Sequence, residues 1–131
     1  MALVPLEIAR GDVHLVRLDP TLGSEIRKTR PCLVVSPNEL NQHLRTVIVA
    51  PMTTAGHAYP WRVGCRFQNR SGFVALDRVR TVDRERLVKR LGRLSVATVT
   101  EVLETLQEGR KKFGLAEWTD FLIRSIGLEP P

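Results

Sequence analysis

The sequence predicts a mainly β (α+β) domain, a small and strongly curved β-barrel followed by a C-terminal helix. Three observations carry this expectation. Short, β-branched segments separated by proline, glycine and asparagine fill the first three quarters of the chain. After Ser95 the apolar spacing changes to a helical period. The chain has 131 residues, room for a single domain (1–131), and 43% of them are hydrophobic, enough for a packed core rather than a disordered chain.

The elements follow in order. Residues 13–18 form a strand, which Pro20 stops because it has no N–H for the ladder. Residues 19–30 are polar and charged and read as a loop. A buried strand is expected over 31–36, then a turn region marked by Pro37-Asn38 and Asn41-Gln42. Residues 46–50 form the next strand, running into Pro51-Met52-Thr53-Thr54, and a second loop covers roughly 54–60. Residues 61–67 alternate as a half-exposed strand should, with Trp61 and Phe67 of one parity and facing the core. Residues 69–72 read as a turn. Strands at 73–76 and 79–82 are joined or bent at Asp77-Arg78. One helical turn is expected at 84–87 and a short closing strand at 91–94. Ser95 can cap a helix starting at Val96, in which Val99, Val102, Leu103 and Leu106 share a face. Gly109 is expected to end that helix, with Arg110-Lys111-Lys112 favouring its C-terminal end, and a second helix is expected over 116–126. Many short strands closed by a helix favour a barrel over a sandwich. An edge strand, or the apolar side of the C-terminal helices, is a mild indication of dimerisation.

Composition narrows the function classes. The formal net charge is +6, and most of the twenty cations are arginine, whose planar fork suits phosphate and stacks on bases. A basic balance of this size suggests a polyanionic partner, with nucleic acid foremost, and solvated surface charge is the alternative explanation. Cys32 and Cys65 stand at no metal-ligand spacing, and His14, His43 and His57 are scattered, so neither a metal nor a cofactor is expected. Cys32 reads as a small buried hydrophobe and Cys65 as a reduced, partly exposed thiol. The longest apolar stretches are far shorter than a membrane span, and Met1-Ala2-Leu3-Val4-Pro5 lacks a signal-peptide core. A cytoplasmic location without a membrane partner is expected.

An ordered set of motifs carries a resemblance. Arg10-Gly11-Asp12-Val13, Leu18-Asp19-Pro20-Thr21, Gly23-Ser24-Glu25 and Thr29-Arg30-Pro31 lead into Leu33-Val34-Val35-Ser36-Pro37. Val49-Ala50-Pro51-Met52-Thr53-Thr54, Tyr59-Pro60-Trp61 and the run from Gly72 to Asp83 follow. In this order and spacing they resemble the MazF/PemK toxin family over about residues 9–108. Residues 110–131 are a C-terminal extension on which the resemblance is silent.

The resemblance implies an SH3-like barrel of the CcdB/MazF type and a homodimer. It also implies sequence-selective, metal-independent cleavage of single-stranded RNA, and neutralisation by a MazE-like antitoxin. Such cleavage uses the substrate's 2′-hydroxyl as nucleophile, leaving a 2′,3′-cyclic phosphate and a 5′-hydroxyl. The protein's part is to stabilise phosphoryl charge and move protons.

Arg30, anchored by Pro31, is the foremost candidate to clamp the scissile phosphate. Thr53 is expected to bond a phosphoryl oxygen or orient the 2′-hydroxyl, with Thr54 its alternative neighbour. Glu25 is a candidate base, or a carboxylate that reads a base. Its loop departs from a frequent family pattern, because Ile26-Arg27-Lys28 replaces a glycine-containing turn, while Arg27 and Lys28 add phosphate-attracting charge. His57 and Tyr59 are candidate RNA contacts in the second loop. Asp77 matches the base of the PemK branch, but the arginine which that branch carries two residues earlier is Ala75 here. Asp77 therefore either serves the site, with Arg78 and Arg80 on the RNA, or pairs structurally with one of those arginines. Two other readings stay open at this point. One is a gyrase-binding poison of the CcdB type, which shares the architecture. The other is an RNA-binding module without catalysis.

Overall fold

The computed structural model describes residues 7–18, 29–54 and 61–113, the last five of these by backbone alone. Its elements are β1 (Asp12–Arg17), β2 (Thr29–Val34), α1 (Asn38–His43), β3 (Thr46–Thr53), β4 (Arg62–Phe67), β5 (Arg70–Ala75), β6 (Arg80–Asp83), β7 (Leu87–Arg93) and α2 (Val96–Phe113). The described strands form one curled antiparallel sheet in the order β4-β5-β3-β2-β1-β7, with β6 also paired to β3. This is the mainly β architecture with a C-terminal helix that the sequence predicts.

Alternation along the strands makes two cores. Val16, Cys32, Val34, Val47, Val49 and Val82 fill one face. Val13, Leu33, Ala50, Met52, Val63 and Val74 fill the other, where Val102 of α2 is fully buried among them. Trp61 and Phe67 pack against this second core, as their parity predicts. Cys32 is fully buried and Cys65 half-buried, both as free thiols.

β3 is the shared strand. Residues 46–49 pair with β6, Met52 and Thr53 pair with β5, and the opposite edge pairs with β2. Pro51 falls where that first edge changes partner, so a residue without an N–H interrupts no ladder there.

Several boundaries differ from the expectation for local reasons. Thr29 and Arg30 belong to β2 rather than to the loop, because β1 continues its ladder as far as Arg17↔Thr29. The turn expected after Pro37 is the short helix α1. It is fixed by buried Asn41, whose side-chain amide donates to the Ser36 carbonyl at 2.9 Å and whose Oδ1 takes the Ser36 hydroxyl. The turn expected at 69–72 is instead the pair Gln68-Asn69, with φ of +50° and +62° between Phe67 and Arg70. Asparagine tolerates that left-handed geometry, which matches the twist of a two-residue hairpin. The single turn lies at Arg84–Arg86, and the closing strand is longer than expected, β7 running along β1 with two register shifts. Its exposed Lys89, Arg90 and Arg93 are the charges that discourage pairing at a sheet edge.

Ser95 caps α2 as expected, its hydroxyl accepting from the Thr98 N–H at 3.2 Å. The helix does not stop at Gly109 but runs through it to Phe113. Glycine inside a helix costs only about 1 kcal/mol, which a continuing ladder tolerates. The second helix expected at 116–126 lies outside the described residues.

His14 is fully buried, and neither ring nitrogen has a hydrogen-bond partner among the described residues. Burial pushes its pKa below 6.5. The Asp12 carboxylate, 4.0 Å from Nε2, opposes this, and the Arg90 charge adds to it. The unfolded chain thus takes up a proton as pH falls through about 6.5 before the folded chain does, and stability drops below that pH. Urea unfolding followed from pH 7.5 to 5.5 is expected to show this loss. In His14→Leu that component should vanish, with stability at neutral pH unchanged or raised by about 1 kcal/mol, since no orphaned ring nitrogens remain. An undiminished acid loss in the variant would contradict this assignment.

Candidate active site

The site follows from strand register. Cys32 of β2 faces Pro51 of β3, and continuing that antiparallel register by two residues sets Arg30 against Thr53. Thr53 is in turn the direct partner of Phe73 on β5. Residues directly opposite one another project to the same face, so Arg30, Thr53 and Phe73 form a row across three strands. The three line one open groove of about 280 Å³, together with Thr54, Phe67 and Arg70. The structure thus brings together Arg30, Thr53 and Thr54 of the residues singled out in the sequence. Thr54 joins Thr53, despite opposite strand parity, because β3 ends at Thr53.

Arg30 sits over the first core. The Cys32 thiol beneath it is 3.6 Å from the Arg30 carbonyl. Burial pushes this thiol up to about 12, against the opposing charges of Arg80 and Arg30, so Cys32 stays protonated and is no nucleophile. Burial also raises the Cys65 thiol at the groove wall. Arg80 donates to the Leu18 carbonyl at 3.2 Å, which steadies its guanidinium.

Asp77 is paired structurally, as one of the two expectations had it, but with Arg62 as its main partner. Arg62, at the start of β4, clamps it with two hydrogen bonds, Nε to Oδ1 at 3.0 Å and Nη2 to Oδ2 at 3.2 Å. Arg78 Nε lies 3.4 Å from the same carboxylate, so the expected Arg78 pairing is present but secondary. The sequence offers no hint of Arg62, because only the β4–β5 register, with Arg62 opposite Ala75, carries it back to Asp77. Asp77, Arg78 and Arg80 lie outside the described wall of the groove. Glu25, Arg27, Lys28, His57 and Tyr59 lie outside the described residues. Phe73 and Arg70 are groove residues that sequence reasoning missed. Alternation along β5 was the available signal, and the misplaced turn at 69–72 hid it.

Among the described residues no three His, Cys, Asp or Glu side chains gather as metal ligands. None of the described helices is long and apolar enough to cross a membrane. What the groove offers is two guanidinium groups, three hydroxyls and two aromatic rings, which suits charge stabilisation on an oxyanion next to a flat apolar group.

Gly72 holds Thr53 in place. A Cβ there would stand 2.5 Å from the Thr53 carbonyl oxygen, so β5 can approach only without a side chain. Gly72→Ala is expected to cost about 1–3 kcal/mol in urea unfolding, as overpacking does. It should also displace the Thr53–Thr54 backbone, read as amide chemical-shift changes centred on those two residues. A variant of unchanged stability and shifts would show that the contact does not constrain the groove.

Comparison with known proteins places this geometry. A family model described as PemK-like, MazF-like toxin of type II toxin-antitoxin system matches residues 9–109. The endoribonuclease PemK of Escherichia coli is 39% identical over 109 residues, covering 76% of this chain and 80% of that protein. Crystal structures of MazF and of a MazE–MazF complex from Deinococcus radiodurans superpose with TM-scores of 0.69 and 0.61. They are 27% and 25% identical, each covering 77% of this chain, and 94% and 93% of the respective structures. With the model spanning most of the chain and a relative well above 30% identity, the protein belongs to the PemK-like, MazF-like toxin family of type II toxin–antitoxin systems, a family of endoribonucleases.

Proposed function

We propose that this chain cleaves single-stranded RNA by attack of the substrate's 2′-hydroxyl on the adjacent phosphate. The 5′-oxygen departs, and a 2′,3′-cyclic phosphate and a 5′-hydroxyl remain. The observation that carries the proposal is the convergence of Arg30 and Thr53 on one groove. Arg30 stabilises charge building on the phosphoryl oxygens through a planar fork that cannot lose its proton. The Thr53 hydroxyl bonds a phosphoryl oxygen or orients the attacking 2′-hydroxyl. Glu25 is the carboxylate proposed to take that proton, since Arg62 holds Asp77 outside the described wall of the groove. Arg27, Lys28, Thr54, His57, Tyr59, Arg78 and Arg80 are the proposed RNA contacts. The reaction needs no metal, since the nucleophile belongs to the substrate.

The working form is a homodimer neutralised by a MazE-like antitoxin. Exposed apolar Leu40 on α1, Leu44 just after it and Val96 at the start of α2 are surfaces that another chain would cover. The antitoxin is carried over from the MazE–MazF relative, and the basic charge of the chain suits an acidic partner.

Incubation of the purified protein with a long single-stranded RNA in EDTA, followed by end mapping, tests the reading. Cleavage at a recurrent short word with cyclic-phosphate and 5′-hydroxyl ends is expected. Arg30→Ala should lower the rate by about 10²–10³, as loss of one oxyanion donor does, without lowering the melting temperature. Activity lost in EDTA, or retained in Arg30→Ala, would overturn this mechanism.

A further inference from the structure

We infer that Phe73 and Gly64 form a stacking site for the nucleobase beside the scissile phosphate. The inference rests on the RNA-cleaving reading above. It starts from the row that defines the groove. Arg30 and Thr53 are followed on the next strand by Phe73, the direct partner of Thr53, and on the next by Gly64, the direct partner of Phe73. All four positions project to one face. Neighbouring strands lie about 4.8 Å apart, so the Phe73 position stands two steps, about 10 Å, from the Arg30 position. A phosphate held at Arg30 therefore has the aromatic ring within reach of an adjoining base.

Phe73 differs from the other described aromatic residues. Trp61 and Phe67 pack against the second core, whereas Phe73 is half-buried and belongs to neither core. An aromatic ring kept partly in water at the wall of a groove leaves one surface to be covered. Gly64 leaves the room. It is exposed, and a Cβ built on it meets nothing within 4 Å among the described residues. A flat group resting on the Phe73 ring would occupy that space. A nucleobase has the required shape, and stacking on an aromatic side chain tolerates any base. Arg70 lines the same groove and can reach the edge of a stacked base, or its phosphate. Phe73 is thus a substrate-binding residue, and Gly64 is small so that the base has room.

Two readouts test this on the full chain. The first uses single-stranded RNAs carrying 2-aminopurine, with 2′-O-methyl sugars that block attack. Fluorescence quenching on binding is expected for the wild type and for Phe73→Tyr, and should be lost in Phe73→Leu and in Gly64→Leu. The second is cleavage kinetics on the unmodified RNA. Phe73→Leu and Gly64→Leu should raise KM about ten- to a hundredfold, the usual effect of one lost stack, with kcat little changed. Gly64→Leu guards against a folding artefact, because its new side chain enters open space and melting should be unaltered. Quenching and KM unchanged in both leucine variants, with RNA still cleaved, would overturn the stacking site and leave the ribonuclease reading intact. Quenching that depends on Phe73 in a protein that cuts no RNA would sustain the stacking site and overturn the cleavage reading.

Discussion

The pairing of β3 with three neighbours is the constraint on which the rest of this structure depends. Its first four residues pair with β6, Val49 to Pro51 pair with β2, and its last two residues lie against β5. Because side chains alternate, a slip of one residue would exchange the two cores, moving Val47 and Val49 to the place of Ala50 and Met52. Both faces are buried, so no alternative register is tolerable. Gly72 adds a steric stop, since β5 approaches the Thr53 carbonyl too closely for any side chain. The groove inherits this precision. Arg30, paired with Val16, and Thr53, paired with Phe73, sit near the ends of strands anchored by two cores, so these side chains project from rigid backbone rather than from a loop.

Charge is organised around that frame by two carboxylates, the buried Asp12 and the half-buried Asp77. Asp12, only 3% exposed, accepts from the Ala9 N–H at 3.1 Å, from Arg93 at 2.9 Å and from Arg90 at 3.5 Å. It ties the edge strand β7 to the start of β1. Gly11, with φ of +94°, makes the turn that delivers Asp12 there, and a Cβ on it would press on the Arg93 guanidinium. Asp77 plays the matching part at the other side of the sheet, joining β4 to the turn after β5 through Arg62. Such pairs add little net stability against their desolvation, but removing one partner strands the other. Their effect is orientation. They consume cations at the frame and leave the remaining arginines to set the field that a polyanion meets.

Much of this was legible in the sequence. Residues 13–18, 31–36 and 46–50 announce strands through β-branched runs ended by proline or polar turns, and Ser95 followed by spaced valines announces the helix. Arg30 and Thr53 were legible as members of an ordered motif set. Asn41 was readable only as a turn former, because its burial depends on Ser36 and β3 arriving from elsewhere. Gly109 looked like a helix end because local preference says so, and the ladder carried the helix past it.

The division between the two levels has a physical cause. Composition and period report what each residue does with its near neighbours in the chain. By themselves they determined a basic, mainly β domain with a terminal helix, and most of its strand positions. Register joins residues far apart in sequence, and no local preference encodes it. Only the tertiary structure decided that Arg62 meets Asp77 across fifteen residues, that the carbonyl of Thr53 forbids a side chain at position 72, and that Phe73 stands beside Thr53 in the groove.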